Sequence, residues 1–313
     1  ALTSESIREA VTFRQTMGRI RKQLQDQGDW FFGTWNPDSV CDPRTGKHVP
    51  FELADETLLA TDPSCWQLRA GEAWHGFGDI EDGFCMLDPI KVTLLTPGIA
   101  PNGDLQPNGI PAALVTAYLD AKGIIVEKTQ DFSILVLFSL GITKGKWGSL
   151  LTALLDFKKD YDANAPLAVV MPELAGATGD AYARMGLRDL ADAMFDQYRT
   201  SGQLDLLAAA YSTLPQAQMI PRAAYHKLVR DEVELVGLDA MPGRVAGTGI
   251  VPYPPGIPMI MPGEAVGPAE GPYLSYLRTL RAWDRRFPGF AHDTHGVEME
   301  DGEYYVYCIK EGV

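Results

Sequence analysis

The stretch GIIVEKTQDFSILVLFSLG, from Gly123 to Gly141, contains two apolar segments separated by a polar turn. Short apolar, β-branched runs between turn residues are typical of buried strands, so we predict one strand over Ile124–Val126 and a second in SILVLF. Glu127 directly follows the first segment. A carboxylate buried there without a partner would cost several kcal/mol. The pattern therefore predicts that Glu127 has a partner, which the stretch itself does not identify.

The neighbouring segments extend this pattern in both directions. IKVTLLTPG, ending at Gly98, reads as a strand stopped by proline and glycine, and GIPAALVTAYLDAKG reads as a helix with Pro111 in its first turn. After the two strands of the opening stretch, Thr143 is placed to cap an amphipathic helix. The order strand, helix, strand, strand, helix predicts a small α/β sheet domain that ends near Ala163.

The rest of the chain differs from this domain in composition and in predicted secondary structure. An amphipathic helix is predicted from about Ile7 to Leu24, before this domain's first strand, and mainly helical structure from Leu167 to Arg230. The proline-rich segment Val251–Glu264 suits an extended, packed loop, and the last segment, EYYVYCIK, reads as a strand. We therefore predict two domains, residues 1–163 and 164–313, in a mixed α/β (α+β) chain.

Composition excludes several classes of partner. The 313 residues include 41 Asp and Glu against 27 Lys and Arg, a formal charge of −14, which repels phosphate backbones and anionic lipids. We therefore expect no nucleic-acid partner and no membrane partner. The four cysteines show no CxxC spacing, and neither a spanning apolar run nor a signal sequence is evident. A cytoplasmic protein is expected, and the first residue, Ala1, suggests a piece of a longer polypeptide.

Two short motifs have chemical interpretations that their context disfavours. HDTH places His292 and His295 three residues apart, a spacing that binds zinc when both imidazoles face one side of a helix. The segment is turn-rich, so we expect no metal. GRVAGTG, starting at Gly243, is glycine-rich but follows no predicted strand and opens no predicted helix, which disfavours a phosphate-binding loop.

Trp74, His75 and Glu127 are the candidate binding residues. WHGF sets a histidine among aromatic residues, and a structural histidine bonded to a backbone carbonyl is favoured over a pocket residue there. For Glu127 two interpretations stay open. Either it holds a ligand, or it is a strand-end charge paired with Lys128, Lys91 or solvent.

Three long segments carry a family resemblance: CMLDPIKVTLLTPGI, GIPAALVTAYLDAKGIIVEKTQDFSILVLFSLG and IVPYPPGIPMIMPGE. They resemble the C-terminal half of the bacterial pyridoxal-phosphate-dependent ornithine, lysine and arginine decarboxylases. Further segments, such as WFFGTWNPDSVCDPRTGK, are most similar to the acid-inducible arginine enzymes of that family. The resemblance implies an aminotransferase-type small subdomain of fold type I, followed by a family-specific C-terminal domain.

The resemblance also implies chemistry and partners. The family's cofactor lysine lies in a Ser-x-His-Lys motif, which this sequence lacks. We therefore expect no catalytic residue in this chain, pyridoxal 5'-phosphate held mainly by the N-terminal half of the same enzyme, and no activity of the chain alone. The family's glutamate at the position of Glu127 holds the cationic end of the amino-acid substrate. Homodimers that assemble into larger rings are implied as well.

The sequence leaves two alternatives open, one for the substrate and one for the role of this half. The GIIVEKT pattern also resembles lysine and ornithine decarboxylases, so the substrate is not fixed by these residues. In addition, this half could serve mainly as an oligomer-assembly module, with its catalytic groups elsewhere. Whether Glu127 and the Trp74 segment face a cleft or a subunit interface would separate these interpretations.

Overall fold

A computed structural model describes residues 2–312, with side chains from residue 4 onward. The chain divides into two compact units, Ala1–Phe195 and Asp196–Val313, and the division falls inside helix α7 (Leu187–Ser201). The domain boundary predicted after Ala163 lies at the end of helix α4 instead, within the first unit. The boundary after Ala163 therefore stays a predicted domain boundary.

The first unit combines helices with short strands. Its helices before α7 are α1 (Leu2–Gln25), α2 (Glu56–Thr61), α3 (Ala112–Ala121), α4 (Lys144–Asp162), α5 (Leu167–Val170) and α6 (Pro172–Ala177). Its strands are β1 (Gly33–Thr34), β2 (Ser39–Asp42), β3 (Lys47–Pro50), β4 (Lys91–Leu95), β5 (Lys128–Thr129) and β6 (Ser133–Leu137).

Four of these strands form an antiparallel sheet in the order β1-β4-β6-β5. Its centre is the pairing of β4 with β6, which runs from Lys91 opposite Leu137 to Leu95 opposite Ser133. Helices α3 and α4 follow the strands as the sequence predicts, and the Tyr118 hydroxyl on α3 donates a hydrogen bond to Asp160 on α4 at 2.6 Å. The predicted order β4, α3, β5, β6, α4 is confirmed.

The first strand of the opening stretch was placed wrongly. Residues 124–126 form no strand, Ile125 is 86% exposed, and β5 is only the pair Lys128–Thr129. Helix α3 ends at Ala121, and the positive φ of 75° at Gly123 lets the Ile124 amide turn back to the Leu119 carbonyl. The chain rejoins the sheet at the Glu127 amide, which donates to the Leu135 carbonyl at 2.9 Å. An apolar run alone does not distinguish a strand from an extended surface segment.

The apolar face of α1 packs against the sheet and α4. Phe13 is fully buried, with its ring centroid 5.3 Å from that of Phe138 and 5.8 Å from that of Trp147. A second cluster lies under the loops after β1, around Phe51 and Trp66. The apolar residues predicted to recur along α1 thus form the face that the helix buries.

An ion cluster joins the end of α4 to the loop after α1. The Lys158 ammonium lies 2.8 Å from Asp29 and 2.5 Å from Asp162, and it sits over the Trp30 ring. The hydrogen bond from Lys158, together with one from the Trp30 backbone amide, lowers the pKa of Asp29. Because this pKa is lower in the folded state, the cluster stabilises the fold above the unfolded pKa of Asp29 and loses that contribution as pH falls through the folded value.

Lys158→Met should therefore reduce the free energy of unfolding by roughly 1 to 2 kcal/mol at pH 7, because it removes two charge-assisted hydrogen bonds, both to carboxylates that water partly screens. The difference from wild type should shrink as pH falls below about 4, because Asp29 is protonated first in the unfolded state and then, below its lowered folded pKa, in the folded state as well. Urea denaturation across this pH range measures it. Lys159→Met, at an exposed neighbouring position, is the control. An equal loss at pH 3 and pH 7 would contradict the ionic origin.

The second unit is built around one long helix and a three-stranded sheet. Its remaining helices are α8 (Gln203–Ser212), α9 (Pro221–Val229) and α10 (Pro272–Arg286). Its strands are β7 (Val233–Gly237), β8 (Val251–Tyr253), β9 (Asp293–His295), β10 (Glu298–Glu300) and β11 (Glu303–Ile309). The sheet has the antiparallel order β10-β11-β7, and β8 pairs with β9.

The core of the second unit lies between α10 and this sheet. Leu274, Leu277 and Leu280 on α10 are fully buried, as is Val306 on β11. The proline-rich segment 251–264 is largely irregular after β8, yet Ile260 is fully buried in the same core. The predicted packed loop and terminal strand are both present.

None of the helices formed by residues 2–312 has the length and apolar character needed to cross a bilayer.

Candidate functional site

Glu127 lines a cavity of about 480 Å³, here called the Glu127 cavity. It lies between the segment after α3, the end of β6 and the first turns of α4. Its walls are mainly apolar, and the hydroxyls of Ser139 and Ser149 and the ammonium of Lys146 also line it. The apolar residues of the wall are Ile124, Ile125, Val126, Val136, Leu137, Phe138, Ile142, Trp147 and Leu150.

The Glu127 side chain is exposed at this cavity. Among the hydrogen bonds and ion pairs found within residues 2–312, none joins its carboxylate to another side chain, Lys91 included. Residues 124–126 lie outside the sheet and Glu127 lies at the surface, so the desolvation cost of a buried carboxylate does not arise here. A free carboxylate beside an apolar wall can accept a guanidinium through two parallel hydrogen bonds.

Trp74 and His75 line a different cleft, of about 530 Å³. The His75 side chain is buried, and its Nδ1 accepts a hydrogen bond from the Phe77 backbone amide at 3.0 Å. Its Nε2 has no hydrogen-bond partner among the described residues and lies 3.8 Å from Glu72, which accepts the Trp74 indole N–H at 2.9 Å. His75 is thus anchored through a backbone amide rather than through the carbonyl that the sequence suggested.

The structure does not bring the three candidate residues together. The cavity of Glu127 and the cleft of Trp74 and His75 have no lining residue in common. The pairing of Glu127 with Trp74 in one pocket therefore has no geometric support within the first unit.

The HDTH histidines have separate partners. His292 Nδ1 lies 2.9 Å from Asp284, whose other oxygen accepts the Tyr304 hydroxyl, whereas His295 Nε2 lies 3.1 Å from Asp293. Across residues 2–312, no three His, Cys, Asp or Glu side chains are grouped as metal ligands.

The chain contains one His-Lys pair, His226–Lys227 on α9, which is the nearest approach to the Ser-x-His-Lys motif. Ala224 stands where the motif has serine, and the Lys227 ammonium lies 2.9 Å from Glu232 in an ion pair. These residues do not fit a lysine that holds pyridoxal phosphate. We assign no residue of this chain to the cofactor.

Sequence reasoning missed several charged residues at these cavities. Lys146 lies at the Glu127 cavity, and Arg21 and Asp38 line the cleft of Trp74. No motif marks them, because they are distant in sequence from the residues that they face. The only available signal was the position of Arg21 on the predicted first helix, which gives no hint of the cleft.

Two family models match the chain. Residues 1–146 match the Orn/Lys/Arg decarboxylase major domain, and residues 204–310 match the Orn/Lys/Arg decarboxylase C-terminal domain. The biodegradative arginine decarboxylase of Escherichia coli is 50% identical over 310 residues, which cover 99% of this chain and 41% of that protein. Lysine decarboxylase LdcA of Pseudomonas aeruginosa is 46% identical, over 99% of this chain and 40% of its own length.

Solved structures agree with these matches. Lysine decarboxylase A from Pseudomonas aeruginosa superimposes with a TM-score of 0.88 at 46% identity, and Escherichia coli constitutive lysine decarboxylase with 0.86 at 37%. Each comparison covers 99% of this chain and 40% of the solved chain. The expected fold class, that of fold type I pyridoxal-phosphate decarboxylases, is confirmed. The chain spans about two fifths of the length of the relatives it matches, and it belongs to the Orn/Lys/Arg decarboxylase family.

Proposed function

We propose that this chain is the C-terminal portion of a pyridoxal-phosphate-dependent decarboxylase that converts arginine to agmatine and carbon dioxide. The observation that carries the proposal is the Glu127 carboxylate, which is unpaired among the described residues and stands at the rim of an apolar cavity. Such a carboxylate suits the distal guanidinium of arginine, while the apolar wall suits its methylene chain.

Arginine is favoured over lysine by the pattern of relatives. A protein named as an arginine decarboxylase is 50% identical to this chain, whereas one named as a lysine decarboxylase is 46% identical and one named as an ornithine decarboxylase 34%. Lysine stays the second candidate because the difference is small. A guanidinium also fits a carboxylate bidentately, whereas an ammonium pairs with it as a point charge.

The role proposed for this chain is substrate recognition. Pyridoxal phosphate, when bound by the whole enzyme, supplies the electron sink for the loss of the α-carboxylate. Glu127 binds and orients the far end of the substrate, and the apolar residues of the cavity wall contact its methylene chain. The N-terminal half of the enzyme is the proposed partner that brings the cofactor.

The test is decarboxylation by the full-length enzyme with arginine, lysine and ornithine as separate substrates. The proposal expects kcat/KM to be highest for arginine, and a higher value for lysine or ornithine would overturn the substrate assignment. The 313-residue chain assayed alone is the control. We expect no carbon dioxide release from it, because it lacks the cofactor lysine motif.

A second candidate function, oligomer assembly, is favoured by the surface around Glu127. Ile125 is 86% exposed and Leu140 is 63% exposed. Ile125 lines the Glu127 cavity and Leu140 follows Ser139 of its wall, and exposed large apolar side chains mark surfaces that another polypeptide covers. We therefore propose that this half also supplies subunit contacts, in homodimers that assemble into larger rings in the cytoplasm.

Assembly of the full-length enzyme should increase as pH falls from 7 towards about 5. The chain carries a formal charge of −14, and the smaller net negative charge at lower pH reduces the repulsion between copies. Sedimentation velocity at both pH values measures the change. Repeating the pH 7 run in about 0.5 M salt, which screens the same charges, should give a similar increase. Equal or smaller species at pH 5 would contradict the prediction.

A further inference from the structure

Helix α1 lies behind one wall of the Glu127 cavity: it contacts residues of the wall, but none of its own described residues lines the cavity. The Ser6 hydroxyl donates a hydrogen bond to the Ser139 carbonyl at 3.2 Å, and the Phe13 ring packs against that of Phe138. Ser139 and Phe138 both belong to the wall. Ser6 and Phe13 are seven residues apart, about two helical turns, so one face of α1 makes both contacts.

On the same face of α1, Glu9 binds a third residue of the wall, Trp147 on α4. The Glu9 carboxylate accepts the Trp147 indole N–H at 2.5 Å. The Trp147 ring is buried, and the Phe13 ring stands edge-on to it. The N–H is the only polar group of an indole, and here it is donated to a residue outside the cavity. The part of Trp147 that faces the cavity is therefore apolar ring surface.

The hydrogen bond to Glu9 decides where the Trp147 N–H points. Glu9 is half-buried, and none of the ion pairs found within residues 2–312 includes its carboxylate. An ionised acceptor makes a stronger hydrogen bond than a neutral one. Without this acceptor, the buried N–H would lack a partner, which is unfavourable, and the ring would be free to turn towards another acceptor.

The other acceptors near the Trp147 ring include groups that line the cavity. These are the Glu127 carboxylate and the hydroxyls of Ser139 and Ser149. A Trp147 N–H turned into the cavity would compete with a bound cation for the Glu127 carboxylate. It would also replace apolar surface with a polar group where the methylene chain of the substrate is proposed to lie.

We propose that Glu9 is a positioning residue for the Glu127 cavity. It acts through Trp147, whose N–H it keeps turned away from the cavity, so that the ring contacts the methylene chain of the substrate and Glu127 stays available for the guanidinium. The inference rests on the function proposed for the Glu127 cavity. Contacts at the far end of the substrate are remote from the bond that breaks, so they stabilise the ground state and the transition state alike.

The test is steady-state kinetics of the full-length enzyme carrying Glu9→Met, which removes the acceptor and keeps the approximate length of the side chain. We expect KM for arginine to rise about tenfold, with kcat within about a factor of two of wild type. A merely structural defect would lower the fraction of active enzyme, and so kcat, and would leave KM unchanged. An unchanged KM would overturn the proposal.

Two further variants separate the hydrogen bond from other effects of the substitution. Glu9→Gln keeps a carbonyl acceptor without the charge, so its rise in KM should be clearly smaller than that of Glu9→Met. An equal rise in both would assign the effect to charge instead of to position and would overturn the proposal. Glu5→Met makes the same change at an exposed position of α1 and should leave KM unchanged.

Trp147→Phe tests whether Glu9 acts through the indole, because phenylalanine keeps an aromatic ring and lacks the N–H. In the Trp147→Phe enzyme, adding Glu9→Met should raise KM no further. An additional rise of about tenfold, equal to that in the wild-type background, would overturn the proposal. If the Trp147 variant does not fold by circular dichroism, the comparison of Glu9→Met with Glu9→Gln still decides.

Glu127→Gln, measured in the same full-length enzyme, distinguishes this inference from the function proposed for the cavity. An effect of Glu127→Gln without a rise in KM for Glu9→Met overturns the positioning role alone. A rise in KM for Glu9→Met without an effect of Glu127→Gln supports the positioning role and overturns the role of Glu127. No effect of either variant overturns both.

Discussion

Glu127→Gln in the full-length enzyme is expected to lower kcat/KM for arginine roughly 10- to 150-fold, which corresponds to the usual 1.5 to 3 kcal/mol for a hydrogen bond to a charged group. The amide keeps the shape of the side chain but removes its charge, so the guanidinium loses an ionic partner at an apolar wall. Steady-state kinetics with arginine as substrate measure the effect. Cofactor absorbance should stay the same, because no cofactor role is assigned to Glu127.

A matched control is Glu173→Gln, which makes the same chemical change at an exposed position in α6. It should leave kcat/KM within a factor of two or so, the range expected for a surface substitution. Unchanged kinetics in the Glu127 variant would mean that this residue is an ordinary solvated charge. Loss of cofactor absorbance would instead point to a structural role.

Gly109→Ala is expected to cost about 3 kcal/mol of unfolding free energy, at the upper end for overpacking a closely packed site. A Cβ at this position would lie 2.6 Å from the Gly98 Cα and 2.5 Å from a ring carbon of Phe195. Backbone and aromatic ring both block it, so relaxation requires the turn after β4 to move away from the start of α3. Urea denaturation followed by circular dichroism gives the change.

Gly148→Ala provides the control for glycine replacement. Gly148 lies in α4, and a Cβ there would meet no atom within 4 Å. Because alanine favours a helix over glycine, this variant should be stabilised by up to about 1 kcal/mol. Equal stabilities of the Gly109 variant and wild type would show that the close approach of Gly98 to position 109 does not require glycine there.

Several elements of the first unit followed from local patterns. Pro97 and Gly98 mark the end of β4, and Pro111 lies at the N-terminus of α3, where its missing N–H costs nothing. These signals depend on backbone chemistry within a few residues. The boundaries of these elements form where the local residues predict, because tertiary packing favours the same boundaries.

The exposure of Glu127 did not follow from such patterns. Whether residues 124–126 pair with β6 depends on where α3 ends and on the turn at Gly123, which the apolar pattern does not encode. The same limit applies to the cleft of Trp74 and His75. Arg21, Gly33 and Asp38 come from a helix, a strand and a loop, and only the packing of α1 beside β1 brings them to one cleft.

Strand β10 has a consequence for how the second unit meets other chains. It is an edge of its sheet, only three residues long, and two of the three are exposed glutamates, Glu298 and Glu300. A short, negatively charged edge is a poor template for the strand of another molecule, because each added strand would bring its own charge against these side chains. At this edge the charge thus disfavours amyloid-like extension, although the neighbouring strand β11 is rich in β-forming residues.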